Sequence, residues 1–108
     1  MKNKDIILKH YLVAALWTAE LDNRTIDEVS LPSFQRAKKD VDSFVEKAGS
    51  LLNEIDEEQI GHDFWLTRNG EGAGFWDRNL GEIGEKLTAI CKDFQAVNVF
   101  DDELIIIE

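Results

Sequence analysis

Gly61-His62-Asp63-Phe64-Trp65-Leu66-Thr67-Arg68-Asn69-Gly70-Glu71-Gly72-Ala73-Gly74-Phe75-Trp76-Asp77-Arg78 is the stretch whose reading decides the fold. It gathers two of the three tryptophans, four of the seven glycines and one of the two histidines. Phe64 to Arg68 and Ala73 to Asp77 flank Asn69-Gly70-Glu71-Gly72. Asn-Gly is the strongest short hairpin signal, because a type I′ turn needs positive φ at both central residues. The stretch therefore reads as a central β-hairpin.

With Asn69 and Gly70 at the turn, Arg68 faces Glu71, Leu66 faces Ala73, Phe64 faces Phe75 and His62 faces Asp77. One face then carries Phe64, Leu66, Ala73 and Phe75. The other sets Trp65 over Gly74, Thr67 opposite Gly72 and Asp63 opposite Trp76, the large ring covering bare backbone. A turn at Gly70-Glu71 changes the partners but not the faces, whereas a three-residue loop flips one strand. The sequence leaves these registers open.

The same residues resemble, nearly one for one, a segment reading GHDFWLTRNGHGAGFWDR in a widespread set of small, mostly uncharacterised phage and prophage proteins. A looser likeness covers Tyr11 to Asp22 (YLVAALWTAELD), Gly81 to Thr88, and Asp101-Asp102. Glu71 stands where that family carries a second histidine, which weakens any two-histidine metal reading for this chain. The resemblance implies a phage-associated origin and supplies no reaction.

At 108 residues the chain is long enough for one globular domain, 1–108, with its own core. Its 22 acidic against 12 basic residues give a formal charge of -10. That balance argues against direct nucleic-acid binding, which needs clustered Lys and Arg. It fits a highly charged, soluble protein, or one that docks on a basic protein surface. Cys91 is the only cysteine, so neither a disulfide framework nor a thiolate cluster is expected. Met1 to Asp5 lacks signal-peptide architecture and no apolar run reaches membrane-spanning length, so a cytoplasmic setting without membrane contact is expected.

Outward from the centre, Asn3 or Asp5 caps a first helix running to about Leu21, apolar around most of its middle. Thr25-x-x-Glu28 matches a capping box for a short helical turn. Ser30 caps a second helix with Pro32 in its first turn, and its apolar stripe runs from Phe34 through Val41, Phe44 and Leu52 to Ile55. The acidic run Asp56-Glu57-Glu58 sits at the wrong end of that helix for its dipole, or else starts a separate turn leading to Gly61. Asn79-x-x-Glu82 caps a third helix carrying Ile83, Leu87, Ile90, Cys91, Phe94 and Val97. Val97 to Phe100 and Leu104 to Ile107 read as two short strands around an acidic turn. The expectation is α+β: three helices packed on a small antiparallel sheet with the central hairpin.

His62, Asp63 and Asp77 are the nearest approach to a reactive cluster, and the preferred register makes His62 and Asp77 cross-strand neighbours. No serine, cysteine or second histidine accompanies them, so a structural pair is favoured over a catalytic one. Neither metal nor cofactor is expected. Gly70-x-Gly72-x-Gly74 lacks the following helix and lysine of a phosphate loop. Trp65, Trp76, Arg68 and Glu71 form a candidate recognition face. Asp56, Glu57 and Glu58 form a candidate acidic docking patch. The leading expectation is a non-catalytic binder or inhibitor of a host or defence-system protein, in its sharpest form a mimic of nucleic-acid charge, acting as monomer or dimer. The alternative is a small ligand-binding or enzymatic domain centred on His62, Asp77, Arg68 and Glu71.

Overall fold

A computed structural model describes residues 2–108, and the first three helices in it each start at a side-chain cap. The Asn3 side chain accepts the backbone N–H groups of Asp5 and Ile6 (3.0 and 3.3 Å) and opens α1, Lys4–Thr18. The Glu28 carboxylate accepts the Thr25 N–H at 2.7 Å, holding a single helical turn at Ile26–Glu28. Ser30 caps α2, Leu31–Ala48, with Pro32 in its first turn. The stripe expected to run on to Ile55 breaks at Gly49, where φ is +52°; a tight turn over Gly49–Leu52 then delivers Leu52 and Ile55 to the core.

The central hairpin is overturned. Asp56 accepts the Gln59 N–H at 2.9 Å and starts α3, Glu57–Arg68, with Glu57 and Glu58 in its first turn and Arg68 in its last. All three charges suit the helix dipole. The acidic run that looked misplaced at the end of one helix is the amino end of the next. Ile60, Gly61, Phe64 and Trp65 recur at helical spacing and are buried. Burial on nearly every side of α3 removes the polar face that would have advertised its period.

Asn69-Gly70 ends this helix instead of turning a hairpin. The Glu71 N–H donates to the Leu66 carbonyl (3.0 Å) and the Gly70 N–H to the Thr67 carbonyl (3.4 Å), with Gly70 at φ +64°. This is the Schellman arrangement, whose left-handed residue is most often glycine. A short turn at Phe75–Asp77 and α4, Glu82–Cys91, follow. Asn79 does not cap α4: it adopts a positive φ of 58°, and the residue before the helix is Gly81.

At the carboxyl end β1, Val99–Phe100, pairs antiparallel with β2, Ile106–Ile107, in the register Val99 to Ile107 and Phe100 to Ile106. The two strands around an acidic turn are thus present. Ile105 extends the pairing to Val29 through a parallel bridge. The α+β class holds in broad terms, with four helices in place of three and, among the described residues, one hairpin, at the carboxyl end. No helix among the described residues is long and apolar enough to cross a membrane.

The principal helix contact is α1 against α3. Asn3 meets Glu57, His10 meets Glu58 and Thr18 meets Trp65, so the two helices run in the same direction. They touch backbone to backbone at Gly61, where a Cβ would lie 2.2 Å from the Ile7 carbonyl oxygen and 2.8 Å from the Tyr11 nitrogen. Behind this contact an aromatic core forms, with Phe44 stacked on Phe64 at 4.2 Å and Tyr11 edge-on to Trp65. Cys91 is buried, and desolvation pushes its thiol up to about 12, so it is an unreactive core residue.

Gly61→Ala should therefore destabilise the fold, although alanine is the better helix former. Overpacking against backbone costs about 3 kcal/mol, and roughly 1 kcal/mol returns as helix propensity. The melting temperature should fall by roughly 8–16 °C in thermal unfolding. A variant that melts at or above the wild-type temperature would contradict the close approach.

Candidate functional site

Most of the Gly61–Arg78 stretch is accounted for by folding. Asp63 is fully buried on α3 and receives a forked contact from Arg78, with Nη2 to Oδ1 at 2.9 Å and Nε to Oδ2 at 3.1 Å, plus the Gln59 amide at 2.6 Å. This pair ties the end of the loop back to the helix. Trp65 is buried, its Nε1 donating to Thr18 Oγ1 at 2.8 Å. Thr67 Oγ1 accepts the Phe75 N–H at 3.0 Å, and a Cβ on Gly74 (φ +152°) would collide with that hydroxyl at 2.1 Å. Gly74 thus faces Thr67, not Trp65. Arg68 donates to Asp40 (2.7 Å), the Tyr11 hydroxyl (3.0 Å) and the Gln95 carbonyl (2.7 Å), joining three parts of the chain. Asn69 Oδ1 accepts the Val97 N–H at 2.8 Å.

His62, Glu71, Trp76 and Asp77 are left without such a role. Two of them, His62 and Glu71, line the same cleft, of about 490 Å³, which opens where α1 and α3 end together. That size lies within the range of small-ligand sites. Trp17, Thr18, Glu20 and Asp22 supply the wall from α1 and its following loop; Leu66, Ala73 and Arg78 complete the other. Trp17 is 60% exposed, with its ring 5.6 Å from that of His62.

The backbone of one wall is strained. After α1 the Glu20 N–H donates to the Trp17 carbonyl (3.1 Å) and the Leu21 N–H to the Leu16 carbonyl (3.0 Å), the same closure that ends α3. Here the left-handed position, φ +60°, is held by Glu20 and not by glycine. A left-handed residue with a Cβ costs about 1–2 kcal/mol. The strained residue is an acidic one that lines the cleft.

The electrostatics are one-sided. Glu20, Asp22 and Glu71 are exposed, and the fold's ion pairs use other carboxylates. The Arg78 charge is compensated by Asp63 at contact distance, and those hydrogen bonds raise its pKa further. Two helix carboxyl ends, each a site of partial negative charge, converge on the same space. Desolvation holds His62 below its ordinary value, against an opposing pull from Asp63 and with help from Arg78 and His10. The cleft is therefore an acidic, aromatic depression containing a neutral imidazole.

Only part of the expected site is brought together. His62 and Glu71 lie in the cleft; Trp76 and Asp77 are exposed but do not line it. Trp65 and Arg68 are interior, which corrects their place on a recognition face. The expected His62–Asp77 pair is replaced by Asp63–Arg78. Asp56, Glu57 and Glu58 sit at the amino ends of α1 and α3, the first two engaged in capping Gln59 and accepting the Asn3 N–H. The fifteen residues of α1 span about 22 Å, so that acidic run is far from the cleft. Trp17, Glu20, Asp22 and Arg78 went unnoticed as site residues, although the first three lie in the Tyr11–Asp22 stretch already marked by resemblance. Among the described residues no group of three or more His, Cys, Asp or Glu is placed to hold a metal ion.

Comparison of the chain with known protein families, with curated proteins and with solved structures returns no match.

The environment of His62 makes a direct prediction. Its midpoint in an NMR pH titration should lie below the ordinary 6.5. Because folding lowers this pKa, the neutral form is the one the fold favours. Its contribution to stability is present above about 6.5 and is lost as pH falls from there through the folded midpoint. A midpoint at or above 6.5 would mean that the ring is solvated or that the surrounding carboxylates outweigh its burial.

Proposed function

We propose that this chain is a non-catalytic binding protein that docks on a basic surface of another protein through the cleft at the carboxyl ends of α1 and α3. The observation that carries the reading is the strained backbone at Glu20, an acidic residue that lines the cleft with Trp17 and Glu71. Residues held in sparsely populated backbone regions concentrate where function requires them. The one hydroxyl of the cleft lining, Thr18 Oγ1, is engaged with the Ala15 carbonyl and the Trp65 indole N–H, which favours binding over nucleophilic attack by that group.

The resemblance to phage and prophage proteins supports a phage-associated setting, in which the partner is a host or defence-system protein. The stretch that carries it, Gly61 to Arg78, and one of the looser stretches, Tyr11 to Asp22, supply opposite walls of the cleft. The net charge of -10 favours a basic partner and fast, salt-sensitive association. Nucleic-acid mimicry through the acidic runs is the less favoured form of this proposal, since Asp56, Glu57 and Asp101 are engaged within the fold.

The test is affinity capture from a bacterial lysate with three baits: wild type, the double variant Trp17→Ala/Glu71→Lys, and the triple variant Asp56→Lys/Glu57→Lys/Glu58→Lys. A partner held by wild type and the triple variant, released by salt and lost from the double variant, is the expected result. Because Asp56 caps α3, each bait is checked by circular dichroism, and loss from a folded triple variant with retention by the double variant would move the docking surface to the amino ends of the helices.

A further inference from the structure

The cleft has a neighbour. A second groove, of about 330 Å³, runs along α1 on the other side of a shared border formed by Trp17 and Asp22. Its walls include Val13, Leu16, Leu21 and Ile26, and Val13 is 42% exposed. Lys9 and Arg24 also border it; the Arg24 guanidinium is committed to Glu28, Asp101 and the carbonyls of Asp102 and Glu103. One indole therefore separates an acidic depression from an apolar one.

We infer that this double site reads an extended segment of the partner carrying an arginine within two residues of an apolar side chain. The arginine enters the cleft, and the apolar group enters the groove beside it. This rests on the docking reading above and specifies its occupant.

Three features select a cation for the cleft. Glu20, Asp22 and Glu71 are among its lining residues, while the single lining cation, Arg78, is already paired. The carboxyl ends of two helices add negative potential. The open part of the Trp17 ring offers a cation–π surface, indole being the best of the aromatic side chains for this. Arginine is preferred to lysine because its planar guanidinium stacks on an aromatic ring while its forked donors reach separate carboxylates. The shared border sets the spacing, since side chains one or two residues apart in an extended chain are separated by roughly 3–7 Å along it. Main-chain groups of such a segment need no partner, which distinguishes this mode from strand addition at a sheet edge.

The full-length protein, labelled with ¹⁵N, is titrated with short peptides holding arginine and leucine two residues apart. The expected result is a saturable shift of the Trp17 indole N–H and of the amides of Glu20, Glu71 and Val13. Citrulline in place of arginine, a neutral group of the same shape, should weaken binding about tenfold, equivalent to 1.4 kcal/mol. Glycine in place of leucine should abolish the shift at Val13 and leave that at Glu71. The exposed variants Glu71→Gln and Val13→Asp should reproduce these two losses separately without unfolding the protein. Equal binding of the citrulline peptide would overturn the cation, and equally tight binding of arginine amide alone would overturn the apolar half. If no peptide shifts Trp17 while a captured partner still depends on it, this occupant is wrong and the docking surface stands. If the captured partner is indifferent to Trp17 as well, both fail.

Discussion

The backbone contact between α1 and α3 at Gly61 is the constraint on which the remaining architecture depends. With no side chain at Gly61, the two helices meet at the Ile7 carbonyl and the Tyr11 amide. Because they run in the same direction, their amino ends share one pole, where Glu57 meets Asn3 and Glu58 meets His10. Their carboxyl ends share the other. A pair of antiparallel helices would set opposite partial charges side by side at each end; this pair sets like ends together. The convergence generates the cleft and its sign of charge before any side chain is considered.

The loop after α3 is then held in place by the Asp63–Arg78 pair and by Thr67, which accepts the Phe75 N–H across the close approach of Gly74. A buried carboxylate with only one charged partner is a strong restraint, since removal of that partner leaves an uncompensated charge inside the protein. Arg68 performs the matching task on the far side of α3, bracing it against Asp40 of α2 and the Gln95 carbonyl. So the charged residues of the central stretch serve mainly to fix a wall, while Gly61 and Gly74 permit close approaches and Gly70 and Gly72 hold left-handed backbone. The few residues exempt from this work face the cleft or the open surface.

This division explains how much of the protein could be read from its sequence. Caps at Asn3, Ser30 and the Thr25–Glu28 turn were legible because each is a local hydrogen bond between residues a few positions apart. The terminal strands were legible from their apolar runs around Asp101-Asp102-Glu103. Asn69-Gly70 misled because a type I′ turn and a Schellman closure both require glycine in the left-handed region, and the dipeptide alone does not separate them. What would have separated them is Asp56, a helix cap thirteen residues upstream of Asn69, followed by acids suited to a first turn. The cleft itself was hidden. Trp17 reads as one more apolar residue of a buried helix, but it lies on the face of α1 that also leaves Ile6 and Val13 exposed. Nothing in the sequence marks Glu20 as left-handed, since its φ is imposed by the closure of α1.

Glu20 also supplies the most direct test of the account, because it sets stability against binding at one residue. Urea unfolding of wild type and Glu20→Gly, each with and without a saturating arginine–leucine peptide, reads both quantities in one series, since a ligand that binds only the folded state raises its stability. Glycine relieves the left-handed strain, so the free variant should be more stable than wild type by about 1 kcal/mol. It should gain less from the peptide than wild type does, having lost one carboxylate of the cleft. A variant that is no more stable than wild type, or one stabilised by the peptide to the same extent, would contradict the claim that this backbone is strained in order to bind.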